Sequence, residues 1–148
     1  MNESFLKLSG SQILALTIYG EARGESVEGQ IAVGSVILER VDKKGWMGKT
    51  ISSVCLKPYQ FSCFNENDPN YPKLLRISEQ WDEAIETNTD INECWGIALG
   101  LITGNIDRTP EIAETHCVNY MTETARNRVK WDDEMKVVAT IGNHVFLS

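Results

Sequence analysis

The sequence has no cluster of lysine or arginine, although 14 of its 148 residues are basic. A duplex-binding surface needs concentrated positive charge to displace counterions, so a chain of net charge −7 without such a patch argues against nucleic acid as a partner. Long apolar runs are missing as well. The longest, Cys94–Ile102, is interrupted by Gly96 and Gly100 and is too short to cross a bilayer, so no stable membrane insertion is expected. Residues Met1–Lys7 include an acid, Glu3, and lack a long apolar core, which does not read as a secretory signal. Synthesis in the cytoplasm is the expectation. Cys55, Cys63, Cys94 and Cys117 form no Cys-x-x-Cys pair, and the two histidines form no His-x-His or HExxH pattern. These absences leave a structural zinc site poorly supported, and no cofactor is expected. The thiols are expected to be reduced and at least partly buried.

What is present is ordinary globular composition, with 42% hydrophobic residues in a length that suits one domain spanning 1–148. Such a chain can bury about two-thirds of its unfolded surface. Ser9 and Gln12 form a capping-box signature, with Leu8 and Ile13 placed as the hydrophobic staple. They start a helix that runs on through Leu14, Leu16 and Ile18 to about Ala22, with Gly24 as a left-handed terminator. Ser26 caps a second helix that Gly45 closes. Its stripe is Val27, Ile31, Gly34, Leu38 and Val41, widened by Val33 and Ile37. Gly29 and Gly34 mark close approach to a neighbouring element.

From Trp46 to Pro72 the prolines and asparagines read as a long loop, with an alternating aromatic stretch at Tyr59–Phe64. Ser78 caps a helix whose buried face is Trp81, Ala84 and Ile85. Another spans Asn92–Thr103 with Trp95, Ala98, Leu99 and Ile102 inward and Gly104 past its end. Thr115–Val118 reads as a short strand, followed by a turn region from Asn119 to Asn127 and an acidic loop around Trp131. Val137–Ile141 and His144–Leu147 make a hairpin across Gly142-Asn143. Helices first and a small antiparallel sheet last define an α+β chain.

Four groups could carry chemistry: Glu21 with Glu25, Gln60–Asn65, Thr115-His116, and His144. A glutamate ending an apolar helix is partly desolvated, which raises its pKa and suits it to donate a proton near neutral pH. Glycosidic cleavage needs such a donor. Glu21, flanked by Tyr19 and small residues, fits that role, while Gln60, Ser62 and Asn65 suit the gripping of sugar hydroxyls and acetamido groups. A metal site built from His116, His144, Cys117 and a carboxylate stands level with this reading. It would make the chain a zinc amidase or peptidase. Cys63 as a nucleophile with His116 ranks third, since nothing near it depresses a thiol pKa. The bland reading is two solvated carboxylates at a helix junction in a non-catalytic binding domain.

Five motifs in order shift that balance: Tyr19-Gly20-Glu21-Ala22-Arg23-Gly24-Glu25, Gly29–Gly34 running into Leu38-Glu39-Arg40-Val41, Tyr59-Gln60-Phe61-Ser62, Thr115-His116, and Ile141–Phe146. Over about Ser11–Phe146 the chain resembles the spore-cortex lytic (SleB-type) cell-wall hydrolases and similar phage lysis enzymes. The resemblance implies a lysozyme-like fold and cleavage between N-acetylmuramic acid and N-acetylglucosamine in peptidoglycan strands. It implies Glu21 as catalytic acid, in a lytic transglycosylase or muramidase. Glu25 becomes secondary, pairing with Arg23 or organising the junction. Gln60, Ser62, Thr115 and His116 are expected to line the sugar cleft opposite Glu21, with Tyr19 and Asn65 as further binding residues. Cys117 stands where relatives carry an aromatic, and Tyr120 is the candidate substitute. A monomer that acts on the cell wall or periplasm, delivered by a holin, completes the expectation.

Overall fold

In the computed structural model, which describes residues 1–126 and 135–148, the site is carried by a helix that begins where the capping box places it. After a short helix α1 (Glu3–Leu6), α2 (Gly10–Ala22) is capped by the Ser9 side chain, which accepts from Gln12 N–H. Gln12 Oε1 accepts from Ser9 N–H in return. Ile13, Leu14, Ala15, Leu16, Ile18 and Tyr19 are all buried, so α2 is apolar around most of its circumference and lies at the centre of the main core. Gly24 does not terminate it. The helix ends at Arg23 in right-handed conformation, and the described glycines with positive φ are Gly48, Gly104 and Gly142.

Helix α3 (Val27–Lys43) is capped by Ser26, as expected. A Cβ at Gly34 would lie 2.5 Å from Leu101 Cδ1 and 3.2 Å from Ile18 Cδ1, so this glycine does mark close approach. At Gly29 the nearest atom is Glu25 Cβ in the turn just before the helix, not a separate element. Val27 is exposed rather than core. The left-handed residue that closes α3 is Lys44, φ 51°, one position ahead of the expected Gly45. A non-glycine residue there costs energy because its Cβ crowds the carbonyl. Lys44→Gly is therefore expected to stabilise the protein by about 0.5–1 kcal/mol. A higher urea midpoint at unchanged m-value is the check.

The expected long loop holds two ordered turns. Helix α4 (Ile51–Cys55) is capped by Thr50 with Ser53 at the third position, a box closed by a hydroxyl instead of Glu or Gln. Ser62–Phe64 is one 3₁₀ turn. Helix α5 (Tyr71–Glu79) has Pro72 in its first turn, and Ser78 lies inside it, donating to Leu75 O instead of capping the next helix. That next helix is α6 (Trp81–Thr87), whose Trp81 packs edge-on against Trp95 at 5.2 Å. In α7 (Thr89–Thr103) the buried stripe is Ile91, Cys94, Ile97, Ala98 and Leu101, while Leu99 and Ile102 are exposed. The expected inward face was rotated from the real one by about one residue, roughly 100° of helix. Gly104 ends it in the left-handed region, as expected.

Thr115–Val118 is not a strand. Pro110 starts helix α8 (Pro110–Thr115), and His116 closes it with φ 52°. The expected turn region after it holds β1 (Asn119–Thr122) and α9 (Glu123–Arg126). The hairpin of β2 (Val137–Ile141) and β3 (His144–Leu147) forms across Gly142-Asn143, with Gly142 at φ 56°. The sheet order is β1-β3-β2, antiparallel throughout, and β3 is fully buried. The reading of Trp131 falls outside the described residues. A second, smaller core of Ala32, Val36, Ile112, Cys117 and Phe146 lies between α3 and the sheet, so α3 is the wall shared by both cores. The α+β layout, a helical lobe with a small C-terminal antiparallel sheet, is the one expected. All four cysteines are buried free thiols. Among the described residues no helix is long and apolar enough to cross a membrane.

Candidate active site

Glu21, in the last turn of α2, meets the sheet across the chain. Tyr120 Oη, from β1, donates to Glu21 Oε1 at 2.8 Å. The two face a cavity of about 340 Å³ whose polar lining also includes Arg40 from α3, Ser62 at the start of the 3₁₀ turn and Gln60 just before it, and His144 from β3. Burial pushes the Glu21 carboxyl above its ordinary 4.5, against the smaller downward pull of the Tyr120 hydrogen bond. Asp68 adds to the rise and Arg40 opposes it. The Tyr120 hydroxyl is held well above the usual phenol range, first by burial and then by the nearby carboxylate. It is therefore a neutral donor whenever Glu21 is an acceptor. Its ring is fixed edge-on to His144 at 5.1 Å and beside Phe146 at 5.7 Å.

Arg40 is 7% exposed. Its Nε–H donates to Val118 O at 2.8 Å, its guanidinium lies 5.1 Å from the Phe61 ring centroid, and Nη1 is buried with no partner among the described residues. His144 is also buried, and burial lowers its pKa, so it is neutral near pH 7. Its Nδ1 stands 3.9 Å from Glu25 Oε1, too far for a hydrogen bond. Glu25 itself belongs to the junction. Oε2 accepts from Asn143 N–H at 3.5 Å and crowds the face of Gly142, where any Cβ would collide with it. The hairpin turn is thereby seated on the start of α3. Arg23 does not take part: it donates to Asn70 Oδ1 at 2.7 Å and lies over the Tyr19 ring at 4.8 Å.

The structure thus brings together Glu21, Gln60, Ser62 and Tyr120 from the expected set. It separates four others from them. Tyr19 is two residues from Glu21 on a helix, hence about 200° round, and lines a different pocket beside Lys73 and Arg76. Asn65 lies in a groove with Tyr59, Asn67 and Tyr71. Thr115 donates to Glu111 O within α8. His116 projects into solvent, with Nδ1 3.4 Å from Glu39 Oε1, in a pocket shared with Asp42, Lys43 and Arg108. Thr115 and His116, expected opposite Glu21, are not among the residues lining its cavity: Pro110 starts a helix there, and the two residues stand at its end.

The competing chemistries lose their geometry. His116, His144 and Cys117 do not converge, and among the described residues no three His, Cys, Asp or Glu side chains are grouped to hold a metal ion. The Cys117 thiol has Asn119 O and Leu147 O as alternative acceptors, both at 3.2 Å, inside the smaller core. Burial pushes Cys55 and Cys94 to about 12 and Cys63 higher still, so Cys63 is a neutral thiol, not a nucleophile. Arg40 was missed by sequence reasoning. Its signal was available: it continues the buried Val33–Ile37 stripe of α3 by one turn, where a charge has no ordinary place.

A helical lobe and a small antiparallel sheet close over one desolvated carboxyl, the layout of a lysozyme-like α+β fold. The chain belongs to the Cell Wall Hydrolase family, whose model matches residues 24–147, and it is similar to spore cortex-lytic enzymes. The matched stretch holds Arg40, Gln60, Ser62, Tyr120 and His144 and begins three residues after Glu21. Among curated proteins, the spore cortex-lytic enzyme of Oceanobacillus iheyensis is 36% identical over 78 residues, 48% of this chain and 28% of that protein. That of Bacillus subtilis is 39% identical over 82 residues, 51% of this chain and 27% of the relative. The alignments therefore span under a third of the length of these relatives. No solved structure matches the chain significantly.

Proposed function

We propose that this chain cleaves peptidoglycan at the bond between N-acetylmuramic acid and N-acetylglucosamine, with Glu21 as a single acid–base residue in a lytic transglycosylase reaction. The observation that carries this reading is the Glu21–Tyr120 pair. Burial raises the carboxyl's pKa above its ordinary value, which favours the protonated form a general acid needs, and the described lining of its cavity contains no second carboxylate. A hydrolase of the two-carboxylate type needs a second acid to hold a nucleophile or water. A reaction that uses the substrate's own hydroxyl does not.

In this reaction Glu21 gives its proton to the glycosidic oxygen as the C1–O bond breaks. The acetamido carbonyl of the muramic residue stabilises the cationic C1. The Glu21 carboxylate then takes the proton of the 6-hydroxyl while O6 bonds to C1, closing a 1,6-anhydro ring and restoring the acid. No water is consumed. The Tyr120 hydrogen bond holds Oε1, which leaves Oε2 to carry the proton towards the sugar. Gln60 and Ser62 supply hydrogen-bonding groups on the opposite wall.

Mass spectrometry of digested peptidoglycan tests the reading. The expected fragments end in anhydro-muramic acid, one water lighter than muramidase products. Fragments with a free reducing muramic end would replace the transglycosylase step by hydrolysis. New free amino groups without glycan cleavage would overturn the glycosidase reading altogether.

A further inference from the structure

Burying a guanidinium without an anionic partner is costly, and one that persists calls for a reason. Arg40 is such a group. Among the described residues it makes no ion pair, and its neighbour Glu39 is turned away to Arg108, 2.8 Å distant. The bonds Arg40 does make join the two walls of the Glu21 cavity. Nε–H reaches Val118 O, two residues before Tyr120, and the guanidinium face covers Phe61, next to Ser62. Nη1 is left over.

We propose that Arg40 is a positioning residue for the proposed reaction: its buried guanidinium is the counter-charge for the Glu21 carboxylate formed when the proton leaves, and its Nε bond fixes the strand that carries Tyr120. The proposal rests on the glycosidase reading given above. The charged and titratable groups around Glu21 are Tyr120 on β1, Asp68 before α5, Arg40 on α3 and the thiols of Cys55 on α4 and Cys63 in the 3₁₀ turn, with His144 on β3 lining the same cavity. Around Arg40 they are Tyr120, Cys55, Glu21 and Cys117. Tyr120 and the three thiols are held neutral by burial, and burial lowers the pKa of His144. Glu21 is the member that alternates its charge during the reaction. While it is protonated, Arg40 has no opposite charge beside it. Once the proton passes to the glycosidic oxygen, the two become an opposite-charge pair lining one partly buried cavity. An interaction stronger after proton transfer than before it lowers the barrier. When the carboxylate takes the 6-hydroxyl proton, the original arrangement returns. Arg40 keeps its own proton throughout.

Arg40→Met and Arg40→Lys test this on soluble, peptide-free glycan strands. The Met variant is expected to lose on the order of tenfold or more in kcat with KM little changed. The basic limb of its pH–rate profile should move to higher pH, because a positive neighbour that lowered the Glu21 pKa has gone. The Lys variant, which keeps the charge but lacks the forked donor, should bring the limb back to the wild-type position. A limb that stays in place in a folded Met variant overturns the proposal, as does a Lys variant that fails to restore it. If the Met variant does not fold, Arg40→Gln, which can still donate to Val118 O, takes its place. Carbon-13 NMR titration of the Glu21 carboxyl reads the same coupling without any turnover. It should show a higher pKa in the Met variant; an unchanged pKa overturns the Arg40–Glu21 coupling, whereas a wild-type protein that cleaves no glycan overturns the functional reading on which the role in catalysis rests.

Discussion

Glu21→Gln is expected to lower peptidoglycan lysis by about 10²–10⁴-fold, the usual contribution of a positioned general acid. The amide keeps the shape of the side chain and can still accept from Tyr120 Oη, so the loss would not stem from misfolding. In the wild type the acid must be protonated to act. Activity should therefore fall on the basic side as pH rises through the raised Glu21 pKa, and that limb should be absent from whatever rate the Gln variant retains.

The same substitution has a stability signature of opposite sign. Glu21 has a folded-state pKa above its unfolded value, so its contribution is fully present below the unfolded pKa and is lost as pH rises through the folded one. Gln has no proton to lose. The variant should match the wild type at low pH and exceed it near neutral pH, by on the order of 1 kcal/mol. Thermal unfolding at several pH values is the measurement. A Gln variant that still lyses walls at the wild-type rate removes Glu21 from the mechanism. A variant of equal stability at every pH would show that the carboxyl is not desolvated.

Gly20→Val is expected to be among the most damaging changes to the fold near the site. A Cβ at Gly20 would stand 2.8 Å from both Cβ and Sγ of Cys63 and 3.3 Å from Leu74 Cδ2. Cys63 Cβ is close to its own backbone and cannot swing aside, so the 3₁₀ turn Ser62–Phe64 must move as a unit. Overpacking of this kind costs about 1–3 kcal/mol, which corresponds to a Tm lower by roughly 3–10 °C in a chain of this size. Because the turn carries Ser62 and is preceded by Gln60 and Phe61, the displacement should also reduce activity measured well below the new Tm. Gly20→Ala should show the same trend in smaller measure. Unchanged melting of the Val variant would mean that the contact between α2 and this turn is looser than its geometry indicates.

How much could be read in advance depended on the range of the interaction. Ser9, Gln12 and Ser26 act within three or four residues, and both helix starts appeared where the caps stood. Gly142-Asn143 acts within one turn, and the hairpin formed there. Where two signals compete locally, the reading slipped. Lys44 in place of Gly45 closes α3, a hydroxyl at Ser53 completes the box that starts α4, and Pro110 starts a helix in a stretch whose later residues are strand-like. In α7 the apolar residues run nearly all round, so periodicity alone did not settle which face is inward. Packing of Trp95 on Trp81 and of Leu101 against Gly34 did.

By itself the sequence determined that a glutamate ends an apolar helix, that a two-residue hairpin closes the chain, and that the layout is α+β. Those are consequences of caps, turn chemistry and local periodicity, which need no distant partner. Only the tertiary structure decided what becomes of Glu21. Its hydrogen-bond donor lies 99 residues away on β1, and its raised pKa arises from elements packed around it, not from its neighbours in sequence. The same packing removed Thr115 and His116 from the cleft and brought in Arg40. Desolvation is a property of assembled surfaces, and no spacing along a chain encodes it directly.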